Sequence, residues 1–366
     1  MKKILTILKK DTVLTVSFCL ALVSSFFVPI SAKYVSYIDF RVLSLLLSLM
    51  LSVAGLRFSG VFSALSGKLL LYVKNTRTLS LLFVLLSFFS SMVITNDVAL
   101  ITFVPFALLI LTEIGKGNLY IPVLVLMTVA ANLGSMLTPL GNPQNLYLYS
   151  LSGLKMGEFL HLMAPTTAIS LLLLCLTCLF IKPEKIASPQ KATAFSKKDA
   201  AFFLFLFALS LLSVFRILHF GISLLVTILC VFFYRRHLLL EADYALLFTF
   251  VFFFIFVGNI KEIPAVSAFL SLLTKGREIG VSVLLSQVIS NVPCAMLLSG
   301  FTDNYPALLL GVNLGGLGTL IASMASLISF KQYGGTIGAK KGKYLLVFTL
   351  VNVAFLAVLW GLILLF

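Results

Sequence analysis

Two short polar stretches interrupt long apolar runs in this chain: Thr95-Asn96-Asp97, and Ser290-Asn291 followed by Val292-Pro293. Hydroxyls, amides and one carboxylate in such surroundings point to the binding of a ligand inside an apolar medium, where an unpaired polar group is costly. If each stretch is the tip of a helical hairpin, the helix before it leaves carbonyls unpaired and the helix after it leaves N–H groups unpaired. Free carbonyls suit a cation and a helix N-terminus suits an anion. Pro293 has no N–H to lose and suits a helix start. Asp97 has three readings: a proton carrier, a sodium ligand, or a carboxylate that caps the helix. Cys294 reads as a small packing residue, with contact to a thiophilic ligand as the alternative.

Each tip is followed by a second polar segment. Asn132–Thr138 reads NLGSMLT and Asn313–Thr319 reads NLGGLGT, and TPLGNPQN (138–145) puts two Pro, one Gly and two Asn into eight residues. These segments read as unwound stretches near 132–145 and near 313–319. The order tip, then N-L-G-x-x-x-T, occurs twice, so the two tips read as equivalent members of an internal repeat.

The elements that must position these residues follow from composition. Of 366 residues, 60% are hydrophobic and 11% are charged, and the mean hydropathy is +1.13. Ordinary soluble domains carry about 25% charged residues. Recurrent apolar runs predict an all-α polytopic membrane protein. About nine full crossings are expected, near 12–30, 40–56, 118–148, 159–181, 200–217, 220–234, 243–258, 305–330 and 344–366. The run from Thr12 is read as a retained first helix, because no small-residue cleavage site follows it cleanly. Two stretches, 79–112 and 279–302, are broken in the middle and are expected to be re-entrant hairpins, since non-helical backbone at membrane depth must be buried or line a cavity.

The expected organisation is a first repeat (1–181), a cytoplasmic linker (182–198) and a second repeat (199–366). With the N-terminus inside, Lys33, Arg41, Lys155, Arg216, Lys261, Lys275 and Arg277 lie outside and the other 20 of the 27 Lys and Arg lie inside. This agrees with the positive-inside rule and makes the hairpins enter from opposite sides, with the C-terminus external. Inverted repeats with broken helices are an architecture of secondary transporters, whose sites form where the breaks meet.

Other classes are disfavoured. The net charge of +15 is spread over loops, with no basic face interleaved with aromatics, so nucleic acid is not an expected partner. The five Cys form no disulfide framework or metal cluster by spacing. There is no Ser/His pair, HExxH or paired Asp at membrane depth, so no enzyme and no cofactor is expected. A channel fits less well than alternating access. No Lys or Arg lies deep in a span, so a bound anion must be held by dipoles and hydroxyls. The reading is therefore a secondary active transporter of a small anion or oxyanion coupled to sodium or protons. The alternative is a cation/proton antiporter in which Asp97 is the exchanging carboxylate.

On SMVITNDVALITFVPF, ANLGSMLTPLGNPQNLYLY, SQVISNVPCAMLL and VNLGGLGT the chain resembles the ion transporter superfamily. That group includes divalent-anion/sodium symporters, citrate-transporter-like permeases, arsenical-pump membrane permeases and a class of sodium/proton antiporters. The resemblance implies a homodimer in the cytoplasmic membrane of a bacterium, with scaffold and transport subdomains and an elevator motion. It implies substrate contacts at Thr95, Asn96, Thr138, Asn142, Ser290, Asn291 and Thr319. It implies a coupling-ion region at Asp97, Asn132, Gly134, Asn313 and Gly315, with sodium expected at Asn96, Asp97 and Asn291. The dicarboxylate branch reads Ser-Asn-Thr at both tips. Here the tips read Thr-Asn-Asp and Ser-Asn-Val, which weakens dicarboxylate chelation and adds a carboxylate.

Overall fold

The computed structural model describes residues 12–71, 73–186 and 195–363. Lys2, Lys3, Lys9, Lys10 and Lys191, all used in the charge count, and linker residues 187–194 lie outside the described residues. The described chain folds as α1 (Thr12–Ser25), α2 (Lys33–Tyr37), α3 (Phe40–Phe58), α4 (Val61–Leu70), α5 (Thr76–Ile94), α6 (Asn96–Glu113), α7 (Tyr120–Ser135), α8 (Pro143–Ser152) and α9 (Met156–Cys178). It continues as α10 (Lys197–Val214), α11 (Phe220–Arg235), α12 (Tyr244–Lys261), α13 (Pro264–Thr274), α14 (Glu278–Ile289), α15 (Asn291–Leu298), α16 (Tyr305–Leu314), α17 (Met324–Gly334) and α18 (Lys341–Ile363).

Eight helical segments among the described residues are long and apolar enough to cross a bilayer: α3, α5, α6, α7 with the turn before it, α9, α11 with the turn after it, α12 and α18. The protein is an all-α polytopic membrane protein. The expected crossings near 118–148 and 305–330 are each split, because α7 stops at Ser135 and α16 stops at Leu314. The run 200–217 extends back into Lys197, Lys198 and Asp199 of α10, which dilute its apolar character.

Both broken stretches reverse the chain. Phe83 and Phe106, 12 residues before and 11 after Thr95, meet ring to ring with centroids 6.1 Å apart. In the second, Thr302 donates to Glu278 Oε1 at 2.8 Å, and these residues stand 12 positions on either side of Ser290. The first hairpin is longer than its boundaries 79–112 imply. Its arms have 19 and 18 residues, or about 28 Å each at 1.5 Å per residue, and either could span a bilayer by length. The arms of the second have 12 and 8 residues.

The chain forms two compact units. The first comprises Met1–Ser59, Lys197–Val281 and Pro293–Leu308. In it α1 packs on α12, and α10 and α11 pack on α3. Two carboxylates here are almost fully buried. Asp199 accepts from Tyr234 Oη at 2.8 Å and pairs with Arg235 at 3.3 Å. Glu278 accepts from Thr302 and from Gly276 N–H. Asp97, in the other unit, is half-buried. All three acids sit in the first turns of their helices, where charge is ordinary; the apolar flanks of Asp97 set it apart in the sequence, whereas Asp199 follows Lys197 and Lys198 and Glu278 follows Arg277.

The second unit comprises Gly60–Ser196, Ser282–Val292 and Leu309–Phe366. Its hub is α7, which packs against α5, α6, α9, α17 and α18 and is buried on nearly every face from Val123 to Ser135. A helix that is apolar all round and buried all round is a core helix, not an amphipathic one. The strap after α9 is tied to the start of α5. Thr76 Oγ1 donates to Lys182 O at 2.6 Å, Arg77 Nε donates to Ile181 O at 2.9 Å, and Glu184 pairs with Lys116. That hydrogen bond with Lys116 holds the Glu184 carboxyl below its usual range.

Candidate functional site

Every residue assigned to substrate or coupling ion in the two tips and the two unwound segments lies in the second unit, whereas Pro293 and Cys294, just past the second tip, belong to the first. Thr95 and Ser290 are left-handed, with φ of 61° and 74°. Arg216 is the one other described non-glycine residue with positive φ. A β-branched residue such as threonine is an outlier there, and such strain costs about 1–3 kcal/mol unless surrounding structure enforces it.

The same hydrogen bonds close both breaks. Asn96 N–H donates to Gly141 O at 3.0 Å and Asn291 N–H donates to Ala322 O at 2.9 Å. Gly141 and Ala322 each stand nine residues after the asparagine of their N-L-G motif. Asn96 Oδ1 accepts from Asp97 N–H, and Asn291 Oδ1 from Val292 N–H, both at 2.9 Å. Thr138 Oγ1 donates to Met92 O, and Thr319 Oγ1 donates to Gln287 O at 3.1 Å. Met92 and Gln287 each precede their tip by three residues.

The motif glycines allow this close approach. A Cβ on Gly134 would lie 2.1 Å from Phe88 O, and one on Gly315 would lie 2.5 Å from Ser286 Oγ. The first of these neighbours is helix backbone, which has nowhere to move. Ser91, also against Gly134, and Ser286 each stand four residues before their tip.

The two breaks are joined through Asn132. Its Oδ1 accepts from Asn96 Nδ2 at 2.9 Å and from Ser323 Oγ at 3.0 Å, while its Nδ2 reaches Gly316 O at 3.4 Å. Asn313 Nδ2 donates to Asn145 Oδ1 at 2.7 Å. Each motif asparagine thus contacts the other half of the sequence, and both are almost fully buried. Four helix N-termini are gathered as a result. The start of α6 is bonded to the segment that leads into α8, and the start of α15 to the segment that leads into α17. Their N–H groups and dipoles favour negative charge.

The remaining expected residues sit less centrally. Asn142 is buried but donates to Ser135 Oγ at 3.3 Å rather than to a tip. Thr95 and Thr138 are half-buried and Thr319 is exposed. Three residues in the network were not anticipated. Asn145 Nδ2 donates to Ser135 O and Thr138 O at 3.2 and 3.3 Å, capping the first unwound segment. Gln287 does the corresponding work in the second. Ser323 links α17 to Asn132. Asn145 was visible within TPLGNPQN, but nothing in the pattern separated it from Asn142.

Comparison with known proteins identifies the family. Residues 4–305 match the citrate transporter family. An uncharacterized transporter of Methanocaldococcus jannaschii is 34% identical over 289 residues, covering 78% of this chain and 79% of its own. The inner membrane protein YbiR of Escherichia coli is 33% identical over 325 residues, 84% of each chain. A putative transporter, arsB, of Dictyostelium discoideum is 29% identical over 125 residues, 34% of this chain and 22% of its own. With the match spanning most of its length, the chain belongs to the citrate transporter family and is a membrane transporter.

Proposed function

We propose that the protein is a secondary active transporter of a small anion, a carboxylate or an inorganic oxyanion, coupled to sodium or protons. The observation that carries this reading is the pair of strained tips, Thr95 and Ser290, each bonded to its own unwound segment and joined through Asn132. The gathered helix N-termini supply the field for an anion without any Lys or Arg. Gln144 is fully buried with both amide atoms lacking a protein partner, as does Asn313 Oδ1, which leaves polar capacity for a ligand or water. The substrate contacts we assign are Thr95, Asn96, Thr138, Asn142, Ser290, Asn291 and Thr319, and the coupling-ion region Asp97, Asn132, Gly134, Asn313 and Gly315. Confinement of all of these to one compact unit suits an elevator motion, in a homodimer of the cytoplasmic membrane. Asp97 keeps open the second reading, a cation/proton antiporter.

The test is uptake of labelled citrate and inorganic oxyanions into proteoliposomes, with an imposed sodium or pH gradient. Gradient-driven anion accumulation is expected. Sodium/proton exchange with no anion uptake would transfer the assignment to the antiporter. The proposed orientation has its own check in a Cys-free background. A Cys near Lys275 is expected to react with an impermeant external thiol reagent, and one near Lys191 is not. Equal labelling of both would end the inverted topology.

A further inference from the structure

The two breaks differ at one position in a way that bears on how many ions the protein binds. Gln287 Nε2 lies 3.0 Å from Val283 O, 3.1 Å from Gly315 O and 2.9 Å from Leu317 O, and Gln287 Oε1 accepts from Thr319 N–H at 2.8 Å. Two of these carbonyls come from the unwound segment. An amide nitrogen has two N–H groups, yet three carbonyl oxygens converge on it. Val283 O belongs to the continuous helix α14, whereas Gly315 O and Leu317 O are carbonyls freed by the break, and such carbonyls form the coordination shell of monovalent cations in transporters of this architecture.

Space for the amide is specifically provided. Gly318 has φ of 112°, and a Cβ there would lie 2.2 Å from Gln287 Oε1. In the first half, Met92 and Leu137 stand at the positions of Gln287 and Gly318. Met92 brings no N–H to the corresponding carbonyls of Phe88, Gly134 and Met136; Phe88 O accepts from Ser91 Oγ at 2.8 Å and Gly134 O from Leu137 N–H at 3.2 Å. The carboxylate is distributed the opposite way: Asp97 stands in the first half where Val292 stands in the second.

We propose that Gln287 is a tethered stand-in for a cation. Its amide occupies the carbonyl cage of the second break permanently, so a mobile coupling ion is taken up at the first break alone. The second clause rests on the ion-coupled reading above, whereas the first is a property of the fold and is tested without transport.

The experiment is thermal unfolding of the purified full-length protein, with sodium chloride replacing choline chloride at constant ionic strength. Gln287→Ala and Gln287→Met, the latter installing the residue of the first half, open the cage. Each is expected to lose Tm in choline and to regain it as sodium rises, by roughly 5 °C or more at a hundredfold excess over its Kd. Gln287→Lys, which carries its own cation to the same oxygens, is expected to need no sodium. In the wild type the sodium response is expected to be absent or to follow a single site. A deficit in Gln287→Ala and Gln287→Met that is identical in sodium and choline overturns the proposal. So does a wild-type response with a Hill coefficient near two, or a loss in Gln287→Lys equal to that in Gln287→Ala. Loss of gradient dependence in wild-type uptake would instead strike the coupling reading and leave the Gln287 result standing.

Discussion

Asn291→Ala is expected to reduce substrate uptake tenfold or more while leaving the protein folded, and Asn96→Ala is expected to do the same at a clear cost in stability. The difference lies in what each amide holds. Asn96 Nδ2 donates to Asn132 Oδ1 in a fully buried setting, so its removal takes one of the two donors from that oxygen and leaves a gap where the breaks join. That costs about 1–3 kcal/mol. The side chain of Asn291 bonds chiefly to its own tip, through Val292 N–H and Ser290 Oγ, and its Nδ2 faces Gly316. Its loss is expected to stay under about 1 kcal/mol. Uptake in proteoliposomes and Tm of the purified variants, measured together, separate the two effects. A roughly tenfold loss in affinity corresponds to about 1.4 kcal/mol, so a single ligand-binding amide is sufficient. Normal uptake by Asn291→Ala at normal expression would remove the second tip from the site. Equal Tm losses in the two variants would contradict the geometry of Asn132.

The sequence treated the tips as equivalent because repetition made them legible. Thr95-Asn96 and Ser290-Asn291 are polar in apolar runs, and NLG follows the helix break in each half, 36 residues after Asn96 and 22 after Asn291. Both signals come from the backbone requirement, since a reversal at membrane depth must satisfy its own N–H and C=O groups. The asymmetric parts were not legible. No amide stands at the position of Gln287 in the first half, where Asn145 caps the unwound segment from its other end, and the role of Gln287 depends on carbonyls about 30 residues away and on Gly318 giving way to it. Asn145 and Ser323 act across the repeat, which no within-repeat pattern encodes. The first hairpin begins three residues before position 79, because Asn75 caps its helix by accepting from Thr78 N–H at 2.9 Å. The contact units also cut across the expected repeats, because each repeat contributes helices to both.

Asp97→Asn is expected to lose gradient-driven accumulation while keeping downhill substrate exchange. The turn at the first tip closes through Asn96 Oδ1 and the backbone N–H of residue 97, and the second tip closes identically with Val292 in that place. A valine has no polar side chain, so the turn forms without a contribution from position 97. The turn therefore does not depend on the charge in the first turn of α6, which stands beside Asn96, the donor to Asn132. Asparagine keeps the shape of the protonated acid and caps a helix comparably well. It can neither release a proton nor balance the charge of a sodium ion. If the carboxylate carries the coupling charge, Asp97→Asn uncouples: accumulation against a gradient falls at least about tenfold, the cost of roughly 1.4 kcal/mol in ion binding, and exchange at equal concentrations persists. If the carboxylate only stabilises the helix start, the variant matches the wild type in both assays. Asp97→Val serves as the second variant, because the other tip already shows that valine is compatible with this turn. Accumulation at wild-type levels by either variant would end the assignment of Asp97 to coupling, and loss of exchange together with accumulation would move it to the substrate.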